Sequence, residues 1–250
     1  MITLKSSHEI ELMRRAGKIT AAARALAGEM VRPGVTTQEI NDAVEKFIRK
    51  QGAVPSFLGY SGYPASICAS VNDEVIHGIP GKRVLQDGDI VSVDVGAYIG
   101  GFHGDCAATF ACGTISAEAQ ELINVTRASF FEGIKYAREG CRLQDISAAI
   151  QQYVEERGFS IVREFVGHGI GTQMHEAPEV PNYGRSGRGP RLLRGMTLAI
   201  EPMVNAGDAA IHQLSDGWTI KTVDGKYAAH YENTILITDG EPEILTAPAI

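Results

Sequence analysis

A helical rhythm begins at Ser6-Ser7-His8-Glu9, after a short polar start. Ser6 can accept from the amide three residues on while Glu9 reaches back, the reciprocal arrangement of a capping box. Ile10, Met13, Ala16, Ile19 and Ala23 then recur at helical spacing. Pro33-Gly34 closes this segment, and a second helix is predicted over residues 37–50. Short strand-like runs follow at 66–71 and 84–85, ahead of a strongly alternating hairpin pattern over 89–110. Helices return at 117–137 and 143–157. From Ile161 the pattern is β-rich, interrupted by irregular Gly/Pro/Arg sequence between 178 and 195.

The order helix, helix, strands therefore occurs twice, which points to internal duplication. Residues 34–52 align with 140–158 at one constant offset, pairing Gln38 with Gln144, Ile40 with Ile146 and Ala43 with Ala149. Glu39/Asp145, Val44/Ile150, Phe47/Tyr153 and Ile48/Val154 are conservative pairs. Further on, Leu85-x-x-Gly88 leads to Asp94 with the spacing that takes Leu192-x-x-Gly195 to Glu201. His77-Gly78-Ile79 and His168-Gly169-Ile170 echo each other at a different offset. The pattern reads as two related α+β halves with acidic residues at equivalent places facing a shared cleft.

Within the hairpin, Val91, Val93 and Val95 point one way and Ser92, Asp94 and Gly96 the other. A loop centred on Ile99-Gly100 makes Asp94 and Asp105 direct cross-strand neighbours, with Cβ atoms about 4.5–5.5 Å apart. Two ionised carboxylates that close repel, and solvent, a shared proton or a cation would relieve them. His168 lies between glycines, Glu201 ends an apolar run, and Glu232 sits in a stretch that reads as core. A buried carboxylate is costly unless it is paired or bound to metal. These four carboxylates have few Lys or Arg beside them in sequence, so the positive charge must come from elsewhere.

Composition narrows the class. Hydrophobic residues make up 44% and charged residues 21%, ordinary values for a soluble globular protein. A net charge of -7 argues against a DNA-binding surface, although Arg185, Arg188, Arg191 and Arg194 form a local basic loop. Cys68, Cys106, Cys112 and Cys141 are widely spaced and form no C-x-x-C pair, which disfavours structural zinc and disulfides and suits a reducing cytosol. There is no signal-peptide pattern, and no apolar run approaches the roughly 18–20 residues that span a bilayer. The expectation is a cytoplasmic protein with no membrane partner.

The run Phe165-x-Gly167-His168-Gly169-Ile170-Gly171-x-x-x-His175-x-x-x-x-Val180-x-Asn182-Tyr183 resembles the signature of methionine aminopeptidases of the short bacterial type. These belong to the M24 metallopeptidases, and the likeness runs nearly end to end. It implies an α+β pita-bread fold with two pseudo-twofold related halves, its curved antiparallel sheet covered by helices. It also implies one catalytic domain over 1–250, with halves of about 1–112 and 113–250. The family's ligand order falls on Asp94, Asp105, His168, Glu201 and Glu232. Asp94 would serve one divalent metal, His168 and Glu201 the other, with Asp105 and Glu232 bridging. Cobalt, manganese or iron(II) suit this oxygen-rich set, with zinc a further candidate. The implied activity is hydrolytic removal of N-terminal methionine from nascent proteins when the second residue is small and uncharged. Glu201 would also carry a proton to the leaving amine. His77 and His175 match the groups that hydrogen-bond the substrate, and Tyr60, Tyr63, Cys68 and Trp218 match the lining of a methionine pocket. Phe57, Ser61, Met174 and Asn233 depart from the usual residues. The family also implies a monomer acting on nascent polypeptide N-termini, with the 185–194 loop a candidate ribosome contact. Prolidases and proline-specific aminopeptidases share the fold but usually carry an added N-terminal domain, for which the helix starting near Ser6 leaves no room.

Overall fold

In the computed structural model, which describes residues 1–247, two helices open the chain, α1 (Ser7–Met30) and α2 (Thr37–Lys50). Both begin with a complete capping box, Ser6 with Glu9 and Thr36 with Glu39. The strands β1 (Val54–Pro55), β2 (Ile67–Val71), β3 (Glu74–Ile76), β4 (Ile90–Ile99) and β5 (Phe102–Ala111) follow. Then come α3 (Ala117–Ile134) and α4 (Leu143–Glu155). The rest is strand: β6 (Ser160–Ile161), β7 (Gly167–Gly169), β8 (Glu176–Val180), β9 (Thr197–Ile200), β10 (Met203–Asn205), β11 (Ile211–Gln213), β12 (Ile220–Thr222), β13 (Ala228–His230), β14 (Asn233–Leu236) and β15 (Glu243–Ile244). The predicted strand at 84–85 is only an isolated bridge from Val84 to Thr36, while β1 and β3 were too short to signal themselves.

Among the described residues every pairing between these strands is antiparallel. The first half centres on β1-β4-β2 with β5 on β4, and the second on β15-β14-β9-β7-β8. Each sheet is packed under its own helices. Ile40, Val44 and Ile48 of α2 meet Val91, Val93 and Val95 in the first core; Ile146 and Ile150 of α4 meet Leu198 and Ile200 in the second.

The duplication is visible bond by bond. Gly34 donates to the Leu85 carbonyl at 2.9 Å, and Gly140 donates to that of Leu192 at 3.0 Å. Leu85 returns a bond to Val35 and Leu192 one to Cys141, both at 2.8 Å. The bridge Thr36–Val84 has its counterpart in Arg142–Arg191. The histidine echo is different: the partner of Ser92 in the first sheet is Ser70, so Ser70 holds the place that His168 takes opposite Ala199. His77 instead follows β3.

One register differs from expectation. The turn sits on Gly100-Gly101, both with positive φ (63° and 88°), as a two-residue hairpin loop requires. A loop centred one residue earlier would place β-branched Ile99 in that disfavoured region. Asp94 therefore faces Ala107 and Asp105 faces Gly96. The two aspartates share a face as diagonal neighbours, leaving more room between them than direct opposition would.

Candidate metal centre

The central strands bring all five predicted acidic and imidazole groups to one place. Asp94 and Asp105 come from the β4–β5 hairpin, His168 from β7, Glu201 from the end of β9, and Glu232 from the link between β13 and β14. His168 Nε2 lies 3.7 Å from Asp105 Oδ2 and 3.5 Å from Glu201 Oε1. Its Nδ1 is 2.8 Å from the Gly169 carbonyl, which fixes the proton there and leaves the Nε2 lone pair facing the carboxylates. Close approach makes this possible: a Cβ on Gly167 would stand 2.4 Å from the Ala199 carbonyl oxygen, and one on Gly169 2.3 Å from that of Ala177.

The carboxylates are held as if awaiting positive charge. Asp105 and Glu232 are 3% and 1% exposed, and buried oxygens of Asp94, Asp105 and Glu232 have no hydrogen-bond partner. Orphaned oxygens this deep are rare in folded proteins and mark a bound ion or water. Burial pushes the Asp94 carboxyl up to about 7. Asp105, Glu201 and Glu232 are raised well above the usual range, by burial first and then by one another's charge. Asp105, His168 and Glu232 offer ligand atoms within one ion's reach of each other, as do Glu201, His230 and Glu232. A divalent cation fits this donor set.

Above the carboxylates opens a cavity of about 210 Å³. Its lining includes Tyr60, Tyr63, Cys68, His77, His175 and Trp218, all expected there, with Phe57, Ser61, Ile76, Phe165 and Met174. Tyr63 and Trp218 meet edge to face at 5.0 Å between centroids, and Tyr63 donates to the Ile67 and Gly78 carbonyls at 3.0 Å each. Cys68 is the cross-strand partner of Asp94, which carries the pocket wall directly onto the carboxylate floor. His77, with φ 58°, contacts Phe165 and Trp218, and burial lowers it to about 4. At the exposed rim, His175 Nδ1 is 2.7 Å from the Tyr60 hydroxyl.

Three participants went unread in the sequence. Phe165 opens the motif quoted for His168 but was given no role of its own there; it lines the cavity against His77. His230 precedes Glu232 by two positions, the strand period, so alternation alone would have placed both on one face. Arg24 of α1, only 7% exposed, donates to the carbonyls of Ala107 and Glu232 at 3.2 and 2.9 Å and to Asn233 Oδ1 at 3.1 Å. Asn233, one of the departures from the usual residues, thus faces away from the cavity and serves Arg24. Phe57, Ser61 and Met174 do face it.

The profile of metallopeptidase family M24 matches residues 11–239. The chain is 59% identical over 246 residues to a methionine aminopeptidase of Clostridium perfringens, covering 98% of this chain and 99% of that one. A solved methionine aminopeptidase from Thermotoga maritima matches with a TM-score of 0.97 at 47% identity, over 98% and 99% of the two chains. An Xaa-Pro dipeptidase from Bacillus anthracis matches at a TM-score of 0.79 and 27% identity, over 98% of this chain and 62% of that one. The architecture is the pita-bread fold that these structures share.

Proposed function

This chain belongs to metallopeptidase family M24, and we propose that it is a methionyl aminopeptidase that removes N-terminal methionine when the second residue is small and uncharged. The observation that carries this reading is the apolar cavity standing directly on a floor of buried, unpartnered carboxylate oxygens. Such a cavity admits one unbranched apolar side chain and stops its peptide bond at the floor.

In this reading Asp94, Asp105, His168, Glu201 and Glu232 would hold divalent ions of the manganese, iron(II) or cobalt kind. When bound, the ions polarise the scissile carbonyl and make water a nucleophile near neutral pH. The protein's groups do the rest. Glu201, the most accessible carboxylate of Glu201, Asp105 and Glu232, carries a proton from the attacking water to the leaving amine. His77 and His175, both shifted toward the neutral form by burial, each offer one ring donor or acceptor to the substrate amide and carbonyl. The Tyr60 contact fixes the His175 ring so that Nε2 is the nitrogen left for substrate. Tyr60, Tyr63, Cys68 and Trp218 wall the methionine side chain.

We read residues 1–250 as one catalytic domain with halves of about 1–112 and 113–250, a cytoplasmic monomer acting on nascent chains. Arg185, Arg188, Arg191 and Arg194 are all exposed, which supports that loop as the ribosome-facing surface. Among the described residues no helix is long and apolar enough to cross a membrane. A panel of metal-loaded assays tests the central reading. Met-Ala and Met-Gly peptides should release methionine while Met-Lys peptides should not; preferential cleavage of X-Pro bonds would overturn the assignment in favour of the prolidase branch of the fold.

A further inference from the structure

The duplication extends into the metal floor itself. In the first half Gly96 faces Asp105; at the matching point of the second, Met203 faces His230. The Thr234 hydroxyl accepts from the Asp105 amide at 3.1 Å and donates to its carbonyl at 2.9 Å. The Thr109 hydroxyl does the same for His230, at 2.9 Å each way. Between these clamps, Ala107 and Glu232 exchange both of their backbone bonds, at 3.3 and 2.9 Å. The pseudo-twofold axis passes there, relating Asp94 to Glu201 and Asp105 to His230.

His230 thus occupies the place that in the other half holds a carboxylate of the floor, and its side chain behaves accordingly. The residue is 2% exposed and its Nε2 has no hydrogen-bond partner. A core histidine ordinarily satisfies that nitrogen. Nε2 lies 3.9 Å from Glu201 Oε2 and 4.0 Å from Glu232 Oε2. Those gaps are too long for hydrogen bonds. They are shorter than about 4.2 Å, twice a typical metal–ligand bond, so a cation can bridge either pair, and all three ligand atoms lie within 4.8 Å of one another. Glu201 points its other oxygen at His168, and so stands between two imidazoles.

We propose that His230 is a metal-ligating residue, its Nε2 forming with Glu201 and Glu232 a nitrogen-containing subsite of the five-ligand centre described above. This rests on the metal-centre reading above. A second imidazole tilts the site away from manganese toward iron(II) or cobalt.

Proton NMR of the cobalt(II)-saturated protein counts ligating imidazoles through their paramagnetically shifted, exchangeable ring N–H signals. Two such signals are expected in the native protein, from His168 and His230, and one in His230→Gln. Calorimetric titration should show His230→Gln losing at least about 10-fold in cobalt affinity at one site, with a smaller loss for manganese. A single shifted N–H signal in the native protein overturns the proposal while leaving the five-ligand centre intact. Failure of the native protein to bind cobalt at all would overturn that centre, and this subsite with it. The count on native protein stands whether or not the variant folds.

Discussion

Arg24 brings a full positive charge beneath the metal floor, yet its partners are carbonyl and amide oxygens: Ala107, Glu232, Asn233 and Thr246. It thereby ties α1 to both halves and offsets part of the carboxylate charge through space. Truncation would leave several buried acceptors unpaired. Arg24→Met should destabilise the protein by about 2–4 kcal/mol in urea unfolding, with Arg24→Lys recovering part of the loss. The carboxylates make a second residue-scale prediction. Burial holds Asp94 up to about 7 and the other three higher than usual, so each keeps its proton at a pH where a free carboxyl has lost it. Metal binding needs the ionised forms and must expel those protons. Uptake of metal should therefore release more protons at pH 6.5 than at pH 8.5, and affinity should fall as pH drops below about 7. Calorimetry in buffers of different ionisation enthalpy measures the release directly; equal release at both pH values would contradict the raised carboxyls.

At the scale of elements, β7 is the most exacting piece, because it lies between β8 and β9 with no space for side chains on the glycines flanking His168. Gly167→Ala should push β7 off β9, costing about 1–3 kcal/mol and at least about 10-fold in metal affinity as His168 moves. Unchanged affinity by titration would refute this account of the strand. Much of this level was legible in the chain. Capping residues placed the starts of α1 and α2, and alternation placed β4 and β5, because those signals are local. The hairpin register was misplaced by the choice of turn centre, where only the paired positive φ of Gly100-Gly101 decides. Asp94, Asp105, His168, Glu201 and Glu232 could be picked out as polar intrusions in apolar runs. Arg24 could not, since a helix position acquires meaning only from what packs against it, whereas His230 follows by strand alternation once Glu232 is taken as a ligand.

For the molecule as a whole, the metal floor is a seam. Asp94 and Asp105 belong to one half, His168, Glu201 and Glu232 to the other, so a bound cation joins two separately cored sheets. At a free metal concentration about 100 times the dissociation constant, binding adds about 2.7 kcal/mol. For a chain of this size that raises Tm by roughly 5–10 °C. Calorimetric scans with and without a chelator should show it, and a shift below about 1 °C would mean that the ions do not join the halves. The seam is symmetric, but its surroundings are not. Where the first half turns through residues 99–102, the second travels through residues 206–227, carrying Trp218 to the cavity wall. Lengthening a turn from 4 to 22 residues costs only about 1.5 kcal/mol in closure entropy. After duplication, then, one copy's turn was free to grow into one wall of the cavity, while the ladder beneath it kept the carboxylates of the floor. A library confined to 206–227 would therefore vary the Trp218 wall alone, with Tyr60, Tyr63 and Cys68 held fixed over the floor.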